Sequence, residues 1–311
     1  MNTKDILKRF GLEIDKEPIS IYPFSPVYKV QYGKQQVIIK KTKSPLSAAR
    51  KLMRFTESLN MAQVNIVTPV ESDTFTNPLG IEKDVFVMYP FIEGYTYTAK
   101  DEEIYAAGQL LGKIHYLSPQ TNNYQLPVYD VFDFTKQEVT DHMITIRQHI
   151  QHTKRKLNVD LVEEKLIQAV DQQTQLQEVK LPFVATPHDY KANNLIYTPE
   201  PYLIDPDNAT WIPRIFDLAL SLLLFHNELE TAPDTLFNPK QWKLFLSGYT
   251  KWITLTDLEK KHWQYALSHV FLDEVMWLMA EYEEDWINDE QYKLFKSIIK
   301  IFVDSSAYLL D

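Results

Sequence analysis

Two hydropathy rhythms divide the chain. Up to about residue 90, apolar positions alternate or run in short blocks, as strands require. Beyond about residue 100 they recur every three or four positions, as helices require. Val27–Tyr32 and Gln36–Lys41 flank Gly33-Lys34 and predict a hairpin. Ser44-Pro45 opens a predicted helix to about Asn60, with Leu46, Ala49, Leu52, Met53 and Leu59 on or near one face. Asn65–Val70, with Pro69 near its end, and Asp84–Tyr89 read as two more strands. Residues 90–94 (PFIEG) break the pattern, and helices follow at about 101–117, 135–154, 160–178, 212–227, 238–249, 258–284 and 288–308. Within this helical part, Leu195-Ile196-Tyr197 and Tyr202-Leu203-Ile204 look like two short strands joined by a proline-bracketed turn. The expectation is an α+β chain in two lobes: residues 1–92, built on a small antiparallel sheet, and residues 93–311, mainly helical. A cleft between such lobes is where a ligand is expected.

Composition narrows the class. Hydrophobic residues at 45% and charged residues at 24% of 311 positions describe an ordinary globular protein. The absence of cysteine excludes disulfides and thiolate metal sites and suits a reducing cytoplasm. The charged start, MNTKDILKRFGLEI, has no secretion-signal stretch, and the longest apolar run, Leu218–Phe225, is too short to span a bilayer. A cytoplasmic protein with no membrane partner is expected. Residues 1–94 hold 13 Lys/Arg against 10 Asp/Glu, whereas the other 217 hold 19 against 32. Such an acidic second part argues against nucleic acid and favours a cationic ligand, although acidity serves solubility equally well.

The richest chemistry lies between His188 and Asp207, in HDYKANNLIY (188–197) and YLIDPD (202–207). Asp189 precedes Asn194 by five positions and Asp205 by sixteen. The predicted hairpin would bring Asn194 and Asp205 together at its open end. A carboxylate beside an amide–carboxylate pair is what phosphoryl transfer needs: one group to orient a hydroxyl, two to hold Mg²⁺ against a triphosphate.

With a lysine at a strand end, a strand running into a Pro/Gly-punctuated link and the helix-like IFDLALSLLLF (215–225), this order resembles the aminoglycoside phosphotransferase and choline kinase-like family. The resemblance covers nearly the whole chain through four short patches. It implies a protein-kinase-like fold and a small-molecule kinase using ATP (GTP possible) and Mg²⁺, with a hydroxyl on a cationic metabolite or antibiotic as acceptor. It makes Asp189 the catalytic base, Asn194 and Asp205 the Mg²⁺ ligands, and Lys40 the bridge to the phosphates. Lys40 is preferred to Lys41 because strand alternation sends the two opposite ways and Ile38 would then cover the adenine. Glu57, the only acidic residue between Lys43 and Asn60, is the expected partner of Lys40. Val87-Met88-Tyr89-Pro90-Phe91 resembles the adenine hinge, with the Tyr89 carbonyl and Phe91 amide meeting the ring and Met88 packing on it. Asp217 is expected to support the scaffold, and His115 and His188 to pack.

The chain departs from the family pattern in three places. The usual His-Gly-Asp is Pro187-His188-Asp189. Pro206 and Asp207 replace the Phe-Gly of protein kinases, leaving Asp207 a candidate for a second ion or for the substrate, with a plain surface position the equal alternative. The phosphate loop, Ile21-Tyr22-Pro23-Phe24-Ser25-Pro26, has no glycine, and Ser25 is the residue expected to offer a hydroxyl and an N–H to the phosphates. A non-catalytic protein keeping the fold, as in spore-coat relatives, is the alternative. For the substrate, Trp263, Leu267, Val270, Glu274, Trp277 and Glu281 fall on one predicted helix face, with Asp273 adjoining. Carboxylates beside tryptophan would receive an ammonium group, and an acidic solvent face is the plainer reading.

Overall fold

The computed structural model describes residues 3–14, 16–22 and 25–310. α1 (Thr3–Arg9) precedes β1 (Val27–Tyr32) and β2 (Gln35–Thr42), and α2 (Leu46–Met61) then leads to β3 (Leu79–Ile81) and β4 (Asp84–Pro90). The four strands form one antiparallel sheet in the order β1-β2-β4-β3. Alternation gives β2 two faces. Val37 and Ile39 bury against Phe86 and Met88 of β4 and Leu7 of α1, while Ile38 and Lys40 take the other side. The periodicity does not disclose α1, because four of its seven residues are charged.

Asn65–Val70 does not join the sheet as a strand. It runs extended, with Ile66 bridging Leu203 and the N–H of Val70 donating to the carbonyl of Met88 at 2.8 Å. β3 holds the outer edge of β4 over Asp84–Phe86 and leaves the segment only that one bond. Asn65–Val67 instead braces the hairpin farther along: Val67 N–H donates to the Leu203 carbonyl, and Leu203 N–H to that of Asn65.

The remainder is mainly helical. β5 (Tyr95–Thr96), α3 (Asp101–Leu117), α4 (Lys136–His152) and α5 (Asp160–Glu178) lead to β6 (Phe183–Thr186) and a 3₁₀ turn at Ala192–Asn194. β7 (Leu195–Tyr197), β8 (Pro201–Leu203) and β9 (Thr210–Pro213) follow, then α6 (Arg214–Leu224), α7 (Pro239–Tyr249) and α8 (Asp257–Val270). A π-helical turn at Phe271–Val275, α9 (Met276–Glu281), α10 (Glu283–Ile287) and α11 (Asp289–Val303) complete the order. β7 and β8 form the expected hairpin, and β5 pairs with β7. The helix expected from 212 begins at Arg214, because Trp211 to Pro213 pair with β6. The single helix expected over 258–284 is divided by the π turn and by extended backbone at Tyr282.

The tightest helix contact is α3 against α7. A Cβ on Gly108 would collide with the carbonyl of Phe245, and one on Gly248 with that of Tyr105. This glycine-permitted approach brings His115 at the end of α3 to Tyr249 at the end of α7, 2.9 Å apart.

Candidate active site

The loop after β6 turns sharply. His188 and Asp189 have φ of 56° and 46°, a left-handed conformation unfavourable for residues with a Cβ by about 1–2 kcal/mol each. Asp217, buried in the first turn of α6, holds them there. Its carboxylate accepts hydrogen bonds from Thr186 Oγ1 (3.0 Å), His115 Nε2 (2.9 Å) and His188 Nδ1 (3.0 Å). Burial opposes ionisation of Asp217, yet the two histidines outweigh it and keep the carboxyl well below its usual range. His188 answers in kind: burial would lower its pKa, but Asp217, Glu274 and Asp189 carry it above the usual histidine value. The left-handed turn thus lets a histidine one position late still reach Asp217.

Asp189 faces the cleft. Burial raises its carboxyl pKa, only partly offset by Lys191, whose Nζ lies 3.2 Å from Asp189 Oδ1 and 2.7 Å from Glu228 Oε2. Asn194 closes the loop by donating Nδ2 to the carbonyl of Asp189 (2.9 Å) and its N–H to that of Lys191 (3.0 Å). Across the hairpin's open end, Ile204 N–H donates to the Asn194 carbonyl at 2.9 Å and places Asp205 beside it.

Lys40 projects from the cleft face of β2 onto this group, with Nζ 2.6 Å from Asp205 Oδ1 and 3.1 Å from Asp207 Oδ2. Lys41 turns away to Asp84. Glu57 does not meet Lys40. It sits with Arg50, Arg54, Pro69 and Glu71 around a separate hollow, and burial together with Glu71 raises its pKa. The turn of α2 facing the cleft presents Ala48, Lys51 and Leu52, so a cation stands where a carboxylate was expected. Asp207 belongs to the Lys40 cluster: Tyr89 donates its hydroxyl to Asp207 Oδ1 at 3.5 Å, and Asp207 N–H reaches Asp205 Oδ1 at 3.4 Å.

The backbone groups of Tyr89 and Phe91, expected to meet an adenine, are engaged with β2 instead. Phe91 N–H donates to the Gln36 carbonyl at 3.0 Å, and Tyr89 is paired with Ile38. In an antiparallel ladder this turns the backbone groups of Tyr89 and Phe91 toward β2 and those of Pro90 and Ile92 away from it. Met88 lies on the opposite face, fully buried, its N–H donating to Asn77 Oδ1. The apolar cluster on the cleft side is Val67, Val87 and Tyr89, with Ile92, Tyr202 and Ile204. Ser25 donates its hydroxyl to the Lys41 carbonyl at 3.4 Å; Pro23 and Phe24, at the loop tip, lie outside the described residues. Ser20, which the sequence pattern does not single out, ties this loop: its hydroxyl donates to the Tyr22 carbonyl and accepts from Val27 N–H.

Asn194 Oδ1 and Asp205 Oδ2 have no hydrogen-bond partner among the described residues, where no cluster of three or more His, Asp or Glu is arranged to hold a metal. Two hard oxygens and little else fit Mg²⁺, which keeps its waters and shares phosphate oxygens, and do not fit zinc.

The π turn sets the far wall. Met276 N–H donates to the carbonyl of Phe271, five residues back, and the surplus residue advances the buried stripe to Phe271, Val275, Met276 and Met279. The expected face is therefore split. Glu274 reaches the cleft beside His188 (3.9 Å), and Asp273 accepts from Tyr129 Oη at 2.7 Å. Trp277 and Glu281 fall outside it, around a small hollow with Asp141 and His142 of α4. The cleft measures about 750 Å³ and is lined by Ser44, Lys51, His188, Asp189, Asp207 and Glu274, among others.

The same arrangement of lobes occurs in known kinases. An amicoumacin kinase solved with AMP-PNP, Ca²⁺ and Ami superposes with a TM-score of 0.68 at 15% identity, covering 98% of this chain and 94% of that one. A microcompartment-associated aminopropanol kinase gives 0.63 at 11% identity, covering 94% and 93%. The choline kinase LicA from Streptococcus pneumoniae gives 0.52 at 16% identity, covering 90% and 92%. No curated protein sequence matches the chain. Residues 23–251 match the model of the phosphotransferase enzyme family, and the chain belongs to that family.

Proposed function

We propose that this phosphotransferase moves the γ-phosphoryl of ATP to the hydroxyl of a small molecule bearing a cationic group. The observation that carries the reading is the convergence of Asp189, Asn194, Asp205 and Lys40, linked by the Asn194–Asp189, Ile204–Asn194 and Lys40–Asp205 contacts. Asp189 accepts the acceptor's hydroxyl proton as its oxygen bonds to the γ-phosphorus and the bridge to the β-phosphate breaks, releasing ADP. Its raised pKa brings it nearer the range useful to a base. Lys40 offsets the charge of the phosphates. Asn194 and Asp205 hold Mg²⁺, which supplies further charge neutralisation to the triphosphate when bound. Pro90 and Ile92 offer the adenine a backbone acceptor and donor. Glu274 favours an amine-bearing acceptor, in keeping with aminopropanol and choline kinases among the structural neighbours. A Mg²⁺-dependent rise in Tm with ATP, followed by ADP release on adding amino alcohols, tests the reading; no thermal shift with ATP or GTP would favour a non-catalytic protein of the same fold.

A further inference from the structure

The cleft is not uniformly acidic. Its floor carries Asp189, and Asp207 is already matched by Lys40. Two charges remain without close partners. Glu274, 41% exposed, has only His188 at 3.9 Å, and that histidine is held by Asp217. Lys51, on α2, has no ion pair or hydrogen bond among the described residues; it stands between two hollows, lining this cleft with Ser44 and Ala48 and the other with Glu57 and Glu71. Asp273 is already satisfied by Tyr129.

An acceptor that is only a cation would answer Glu274 and leave the Lys51 ammonium facing it. An acceptor that is only an anion would do the reverse. Charges withdrawn from water by a bound ligand are costly unless each meets its opposite. One molecule that answers both carries an ammonium and a carboxylate as well as its hydroxyl.

We propose that the acceptor is a zwitterionic alcohol, its ammonium taken by Glu274 of the π turn and its carboxylate by Lys51 of α2. The inference rests on the kinase reading above and adds the anionic half of the substrate. The chemistry is unchanged: the acceptor oxygen takes the γ-phosphoryl, its proton passes to Asp189 and ADP leaves. Lys51 and Glu274 act as specificity residues, touching the acceptor and not the reacting atoms.

The test is a matched series followed by ADP release with ATP and Mg²⁺: serine, ethanolamine and hydroxypropionate, then carnitine, methylcholine and hydroxybutyrate. In each set the zwitterion should give the highest kcat/KM. Lys51→Glu should raise KM for the zwitterion about tenfold more than for its amino alcohol, and Glu274→Lys should do the same relative to the hydroxy acid. Turnover confined to amino alcohols, or with no member of either set, overturns the zwitterion. So does a Lys51→Glu effect seen in KM for ATP alone, which would move Lys51 to the phosphates. Failure of ATP to bind the unaltered protein would instead remove the kinase reading on which the proposal stands.

Discussion

Asp217 Oδ1 and His188 Nδ1 lie 3.0 Å apart, and this contact fixes the backbone immediately before Asp189. The carboxylate is fully buried and serves two histidines and Thr186. Asp217→Asn keeps the shape but removes the charge both histidines rely on. A loss of about 3 kcal/mol in urea-unfolding free energy is expected, as for other buried charge networks that lose one member. Activity should fall with it, because His188 and Asp189 then relax from their left-handed conformation.

Asp189→Asn leaves that network intact. Stability should change by less than about 1 kcal/mol, and the thermal shift with ATP should persist, while kcat drops by about two to four orders of magnitude, as expected for loss of a catalytic base. Unchanged turnover would remove Asp189 from the mechanism.

Glu57 and Lys40 give opposite expectations. Glu57 is remote from the lysine, so Glu57→Gln should alter stability by less than about 0.5 kcal/mol and leave KM for ATP within about twofold. Lys40→Met strands Asp205 and Asp207 together without a counter-charge. It should raise KM for ATP at least about tenfold, measured by ADP release.

Acid should weaken the fold through two other histidines. Burial pushes His226 and His269 down to about 4, whereas the unfolded chain protonates them near 6.5. Between those values the unfolded state binds more protons, so stability falls as pH falls, by up to about 3 kcal/mol for each group. His188 has the opposite sign: its raised value gives stability that is full below the unfolded pKa and is lost as pH climbs through the folded one. Urea midpoints from about pH 4 to about pH 8 should therefore trace a dome. His226→Gln should flatten only its acid side.

Gly108→Ala places a methyl group against the carbonyl of Phe245. Separation of α3 from α7 should cost about 1–3 kcal/mol, read from urea unfolding, and loosen the His115–Tyr249 contact.

How much of this was legible depended on how local each signal is. The β1–β2 and β7–β8 hairpins and most helices follow from spacing alone. So does the meeting of Asn194 with Asp205, since one tight turn fixes it. The choice of Lys40 over Lys41 came from strand alternation. What failed to show depends on partners distant in sequence. Asn65–Val67 pairs with Leu203 instead of the sheet, and which of Tyr89 and Pro90 turns its backbone groups to β2 is set by the β2–β4 register. Glu57 looked suitable only because no other acid lay on its helix; nothing in the sequence reports that its turn points elsewhere. Lys51, Lys191 and Ser20 carry no motif and emerge only from their neighbours in space.

The surplus residue between Phe271 and Val275 works as a phase setter for everything after it. Delete one position ahead of Asp273 in that turn and a regular helix would rotate the side chains that follow by about 100°, carrying Glu274 away from His188. The proposed acceptor contact at Glu274 can thus be retuned by a single insertion or deletion, apart from the cluster around Lys40.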